Sequence, residues 1–254
     1  MVAGLPKMPL LSCTVCLSRD CPFTHLDHDE QMQLARLITH QTYAKREPIF
    51  HQDDEISGCH VLCHGKVELA CYTREGRRQI VRFLSSGELF GESGLYETNA
   101  SSVEAKALAE SVIGWLRPAD FQELLRQDMS LALEVQKRLT QEVDELRVRL
   151  TEQAYQGVRE RLIKLLLELA EKYGHRSDQG LVIDLELTER DLAGTLGNTP
   201  EWVCKQLGML KRRGLIAYRR GELVIPDEAG LRRLITPPES LCDSPVLEQT
   251  SIVH

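Results

Sequence analysis

The chain has no apolar run approaching the roughly 20 consecutive residues that a membrane-crossing helix needs. That excludes the membrane as a partner through such a span. It has no Walker loop, no nucleophile elbow and no zinc-protease helix. Its eight histidines are scattered without paired acids or bases, so an enzyme is not expected. Positive charge is in deficit, with 31 Lys and Arg against 38 Asp and Glu, which excludes a uniformly basic nucleic-acid binder. An export signal is missing too: Met1–Leu11 is apolar but short, holds two prolines and carries only Lys7. A cytoplasmic location is therefore expected, and with it reduced thiols. The eight cysteines then point to thiol or metal chemistry rather than to a disulfide scaffold.

Hydrophobic residues make up 42% of the 254 positions, enough for a packed core in one large or two modest domains. Asp27 to Thr39 reads as a short helix with Met32, Leu34, Ala35, Leu37 and Ile38 as its apolar positions. From Arg46 to Trp115 the period changes to short β-like runs at Cys59–Cys63, Val67–Tyr72, Gln79–Leu84 and Ser111–Leu116. Turn residues at Gln52-Asp53-Asp54, His64-Gly65, Glu75-Gly76, Ser86-Gly87 and Glu97–Ala100 separate them. Many short strands punctuated by glycine predict a jelly-roll or β-roll.

A helical stretch follows from about Pro118 to Tyr173. Ala132, Val135, Leu139, Val143, Leu146 and Leu150 step by three or four residues, an a/d seam over about three heptads. So narrow a stripe fits pairing with a twin helix in a homodimer. The alternative is an amphipathic helix packed on its own domain. Gly157 interrupts the pattern as an interdomain hinge. A second helix carries Val158, Leu162, Leu165, Leu166, Leu169 and Tyr173.

Thr188-Glu-Arg-Asp191 reads as a capped helix start and Gly197-Asn198 as its end. Thr199-Pro200-Glu201 opens a further helix, with a Thr cap, Pro in the first turn and a carboxylate at the positive dipole end. Val203, Leu207 and Leu210 share one face. Glu201, Lys205, Gly208 and Arg212 point the other way at 100° per residue. A short helix, a tight turn and a second helix with a polar outer stripe form a helix-turn-helix. Glu201 can accept from cytosine N4, Lys205 can donate to guanine O6 and N7, and Thr199 with the first N–H groups can hold a phosphate. Leu215–Tyr218 and Leu223–Ile225 read as strands around the basic turn Arg219-Arg220, a wing. Between Thr188 and Arg233, nine Lys or Arg stand against six Asp or Glu, so positive charge gathers where DNA would lie.

From Cys13 to about Leu234 the sequence resembles the Crp/Fnr family of transcription regulators. His64-Gly65-Lys66-Val67, Gly87-Glu88-Leu89-Phe90-Gly91-Glu92, the heptad helix and Pro200-Glu201-Trp202-Val203-Cys204-Lys205 carry the resemblance. It implies an α+β chain with an N-terminal β-roll, a long dimerisation helix and a C-terminal winged helix-turn-helix. It also implies a palindromic duplex and RNA polymerase as partners. The family's recognition helix has Glu, two residues, Ser or Gly, then Arg. Glu201 fits, whereas Cys204 and Lys205 depart, and lysine lacks the bidentate fork. The expected divisions are a Cys-rich segment and short helix at 1–33, β-roll 34–124, dimerisation helix 125–156, DNA-binding domain 157–236 and a disordered tail 237–254.

Nucleotide-binding members follow a Gly-Glu pair, about ten residues on, with an Arg that neutralises the cyclic phosphate. Gly91 and Glu92 match, but Gly94 to Val103 holds no Arg or Lys. A buried phosphate would lack its cation, so a cyclic nucleotide is not expected and Glu92 reads as a structural residue. Cys13, Cys16 and Cys21, followed by Pro22-Phe23, resemble the oxygen-sensing iron–sulfur members, in which such a loop binds a [4Fe–4S] cluster. A cubane takes four ligands. In those relatives the fourth is a Cys in a late strand, aligned here with about Gly114. The open candidates are Cys59, Cys63, Cys71, His25, His28, Asp20 and Asp27; Cys204 and Cys242 look unconnected. Structural zinc, a thiol switch, or a β-roll sensing a small molecule or haem are the rival readings.

Overall fold

The computed structural model describes residues 21–26, 28–56, 58–95, 100–219 and 222–235, without the side chains of Thr24, His25, Ser93 and Leu95. Cys13, Cys16, Asp20, Asp27, Arg220, Cys242 and the expected tail lie outside the described residues. The backbone divides into two compact units, one of residues up to Thr151 with Ala193–Asn198, the other of Glu152–Leu192 with the residues from Thr199.

Two antiparallel four-stranded sheets form the β-roll of the first unit. One has the order β1-β8-β3-β6, from Thr39–Tyr43 (β1), Ser111–Leu116 (β8), Cys59–His64 (β3) and Leu89–Phe90 (β6). The other has the order β2-β7-β4-β5, from Pro48–Phe50 (β2), Glu104–Ala107 (β7), Lys66–Tyr72 (β4) and Arg78–Ser85 (β5). Between them lies a core of Phe50, Leu62, Val67, Leu69, Leu84, Phe90, Ala105 and Ile113. The first sheet is covered on its other face as well. There Cys59, Val61, Leu89 and Leu116 pack with Cys21, Phe23, Leu26, Leu34, Ile38, Phe121, Leu124 and Leu131. Burial on both faces explains why Cys59–Cys63 reads as a continuous apolar run rather than as an alternating strand.

That outer core brings the N-terminal segment to the base of the long helix. A 3-10 turn, Pro22–His25, leads into helix α1, His28–Leu37. Helices α2, Pro118–Gln127, and α3, Met129–Tyr155, follow the roll.

Several expected boundaries are corrected. Thr39 does not end the first helix but opens β1, and Met32 is 42% exposed rather than core-facing. The single stretch from Pro118 breaks at Asp128, whose Oδ1 accepts from Ser130 N at 2.8 Å and Leu131 N at 3.3 Å, an N-cap that starts α3 afresh. β1, β2, β6 and β7 went unforeseen because they are short or, like the exposed β1, carry no apolar alternation.

Helix α4, Val158–Tyr173, anchors the second unit through Leu162, Leu165, Leu166, Leu169 and Tyr173, as its spacing predicts. Its sheet runs β11-β12-β10-β9, from Ala217–Arg219 (β11), Glu222–Ile225 (β12), Gly180–Ile183 (β10) and Gly174–Ser177 (β9). The wing is thus part of a four-stranded sheet. Its first strand starts at Ala217 rather than Leu215, because Leu215 and Ile216 are buried ahead of it. A short helix, α7, spans Glu228–Arg232.

Candidate functional site

Local sequence sets the helix pair between Glu189 and Arg212. Helix α5, Glu189–Leu196, begins at a reciprocal cap: Asp191 N donates to Thr188 Oγ1 at 3.2 Å and Thr188 N donates to Asp191 Oδ2 at 2.8 Å. It ends at Gly197, whose φ of 66° is the left-handed conformation that glycine tolerates best. Helix α6, Pro200–Arg212, then starts with Thr199 accepting from Trp202 N at 3.3 Å. Val203, Leu207 and Leu210 are buried, while Glu201, Lys205 and Arg212 are exposed on the opposite side. As the cap, Thr199 Oγ1 accepts one hydrogen bond and keeps its own O–H to donate.

The neighbours of α6 complete the face. Cys204 stands exposed next to Lys205 in the chain. Arg219 is exposed at the wing and pairs in register with Glu222. Tyr218 lies close enough to Glu189 and Cys204 for burial and those groups to push its hydroxyl pKa up. The influence of Cys204 on Tyr218 was not foreseen, because no spacing rule links residues 204 and 218.

In the β-roll, Gly91 adopts φ 77° and Glu92 opens a 3-10 turn, Glu92–Leu95. Burial pushes the Glu92 carboxyl upward; Glu142 adds to this and Arg82 opposes it. Arg82 is bound on both sides, to Glu88 at 2.7 Å and to Glu142 of α3 at 2.6 Å. Burial alone would lower its pKa, but the two carboxylates outweigh that and raise it. Arg82 is thus engaged by two carboxylates, with Glu92 within its electrostatic reach. His60, stacked on Phe90 with ring centroids 5.2 Å apart, is held neutral by burial at a pKa of about 4. It adds no cation.

The thiols are distributed unequally. Cys21 is fully buried and shares the outer core with Cys59 and the partly exposed Cys63. Cys59 is also fully buried, and desolvation, then Glu92, push its thiol strongly up. Cys71 belongs to the other sheet. His28 is exposed at the start of α1. Among the described residues no group of three or more His, Cys, Asp or Glu is arranged to hold a metal ion. Among them, too, no helix is long and apolar enough to cross a membrane.

The dimer seam divides in two. Val135 packs on the outer core of its own unit, whereas Leu139, Val143, Leu146 and Leu150 are 44%, 44%, 43% and 69% exposed. Among the described residues nothing covers this apolar stripe on the 27-residue helix.

Comparison with known proteins places both units. Residues 40–128 match the model of the cyclic nucleotide-binding domain, and residues 160–234 match that of the Crp-like helix-turn-helix domain. The chain is 31% identical over 179 residues to the nitrogen fixation regulation protein FixK of Rhizobium meliloti, covering 70% of this chain and 78% of that one. It is 25% identical over 222 residues to electron transport regulator A of Shewanella oneidensis, covering 87% and 86%. The structure of FixK2 from Bradyrhizobium japonicum superposes with a TM-score of 0.68 at 21% identity, covering 79% of this chain and 98% of that one.

Proposed function

Because the chain belongs to the Crp/Fnr family of transcription regulators, we propose that it reads a palindromic duplex as a homodimer and that an iron–sulfur cluster on its N-terminal thiols controls this binding. The observation that carries the DNA half is the division of α6. Val203, Leu207 and Leu210 fix the helix, leaving Glu201, Lys205 and Arg212 free of the core to enter the major groove. The exposed seam of α3 supports pairing of two chains, which sets two recognition helices about 34 Å apart. Contact with RNA polymerase belongs to the same reading.

A cyclic nucleotide is not part of it. Arg82 is committed to Glu88 and Glu142, and Glu92 is a buried carboxyl raised in pKa. Thiolates are the ligands that iron–sulfur clusters take. Of the thiols the reading would use, Cys21 is described, buried in the same core that Cys63 packs against. When bound, the cluster supplies an oxygen-labile redox centre. The chain's own part is mechanical. Cys21 is followed at once by Pro22 and by the buried Phe23, so the last thiol of the loop is set directly on the core beneath α2 and α3. The name of the relative electron transport regulator A agrees with a redox signal.

Strictly anaerobic reconstitution tests the reading. Protein that is brown and holds about four iron and four sulfide per chain, as a cubane requires, supports it. Colourless protein holding zinc, or an oxidised thiol pair without metal, contradicts it.

A further inference from the structure

Beyond Val135, α3 touches the roll again. In the run from Gln141 to Leu150, Glu142 and Arg149 are the two residues that are not exposed. They stand seven apart, so they lie within about 20° of each other around the helix. Both reach β5. Arg149 Nη1 donates to the Val81 carbonyl, and Arg82 Nη1 pairs with Glu142 Oε2 at 2.6 Å.

The strand is shaped for this contact. The pairing of β5 with β4 shifts between Leu69 and Ala70: Leu69 faces Arg82, Ala70 faces Ile80, and Val81 has no partner in β4. A bulge of this kind re-aims side chains and interrupts the ladder. Here the carbonyl of the bulged residue goes to Arg149 and the next side chain goes to Glu142. On its other side Arg82 donates to Glu88 Oε1 at 2.7 Å, and Glu88 Oε2 accepts from Ser85 N at 2.5 Å. The Glu88 carbonyl accepts from Leu62 N at 3.0 Å. A line of polar contacts thus runs from β3, which carries the outer core, through Glu88 and Arg82 to the long helix. The Arg82 and Glu142 side chains are 20% and 28% exposed, so their pair is screened less than a surface pair. Leu139 and Leu146 of the seam stand three and four residues from Glu142, its neighbours on the helix surface. Holding Glu142 and Arg149 against β5 therefore fixes the rotation of α3 that turns the seam outward.

We propose that the bulge at Val81 and Arg82 is a clasp that sets the rotation of α3, so that the state of the roll controls the pairing of two chains. Arg82 is its positioning residue. The proposal rests on the homodimer reading above and is independent of what the N-terminal thiols bind.

Hydrogen exchange of α3 and sedimentation of the metal-free full chain test this. Glu142→Gln keeps the side-chain length and the Arg82–Glu88 pair. Its amides from Leu139 to Leu150 should exchange about tenfold faster than those of wild type, and its dimer dissociation constant should rise about tenfold. Arg82→Gln should weaken pairing at least as much, and adding Glu142→Gln to it should cost nothing further, because the same contact is already lost. Glu145→Gln, at an exposed position of the same helix, should change neither quantity. Either quantity unchanged in Glu142→Gln overturns the clasp, as do effects that multiply in the double variant. Wild type that sediments as a monomer at every concentration overturns the homodimer reading instead, and the exchange measurement then still decides the clasp.

Discussion

The ring of Phe23 stands edge-on to that of Phe121, with centroids 6.4 Å apart and planes at 87°. One residue lies two positions after the last loop thiol and the other lies in α2, just before the long helix. The contact is within the outer core, where both rings are buried. Replacing Phe121 by Ala is expected to cost about 3–5 kcal/mol. A double-mutant cycle with Phe23→Ala should return a coupling of about 0.5–1.5 kcal/mol for the ring pair. Urea unfolding of the metal-free chain measures both; a coupling of zero would mean that the two segments are packed independently.

The exposed half of the α3 seam predicts the assembly. Leu139, Val143 and Leu146 should be central contacts between two chains. With Val143→Glu and Leu146→Glu together, four carboxylates would meet across the seam, a desolvated like-charge cluster that costs several kcal/mol. Sedimentation should show wild type as a dimer with or without metal and the double variant as a folded monomer. A fully dimeric double variant would place the interface elsewhere.

On DNA, Glu201→Ala and Lys205→Ala should each cost about 1–3 kcal/mol on the preferred site and relax preference at one base pair. Arg219→Ala should weaken all sequences alike and reduce the salt slope by about one. Fluorescence anisotropy against a panel of single-base variants separates the two behaviours. A wing variant that changed base preference, with Lys205→Ala leaving it intact, would reverse the docking.

Glu92 gives a pH prediction. Its pKa is raised on folding, so its contribution is fully present below the ordinary value of 4.5 and is lost as pH rises through the folded value. Glu92→Gln should therefore leave the melting temperature unchanged well below that pH and raise it at neutral pH. Calorimetry across the range checks the sign. A variant destabilised at neutral pH would give the carboxylate a partner that it lacks in this account.

The helix pair between Glu189 and Arg212 was legible because its signals are local. Thr188, Asp191, Gly197 and Thr199 act within four residues of themselves, and the caps form as their spacing predicts. The β-roll was legible only in its glycine-bounded apolar strands. β1 is exposed at four of its five residues, and its pairing with β8 joins positions from Thr39–Trp115 to Tyr43–Ser111, far apart in the chain, which no local period reports. Asp128 was passed over because an apolar period runs on both sides of it. The surroundings of Cys59 and Cys63 were illegible for the same reason. Spacing puts Cys59 and Cys63 on one face, but the bulge at Cys63 and the close approach of Val61 and Cys63 to Gly114 arise from strand pairing across the sheet.

Titration of one palindromic duplex before and after air tests whether the N-terminal thiols gate DNA binding. Anaerobically loaded protein is titrated by fluorescence anisotropy at fixed salt, then exposed to oxygen until its visible absorption is lost, and titrated again. A coupling of about 1–3 kcal/mol predicts that affinity falls roughly 5- to 150-fold, with the Cys21→Ser variant already at the weak limit before exposure. Equal affinity in loaded and bleached protein, at equal dimer content, would contradict the account.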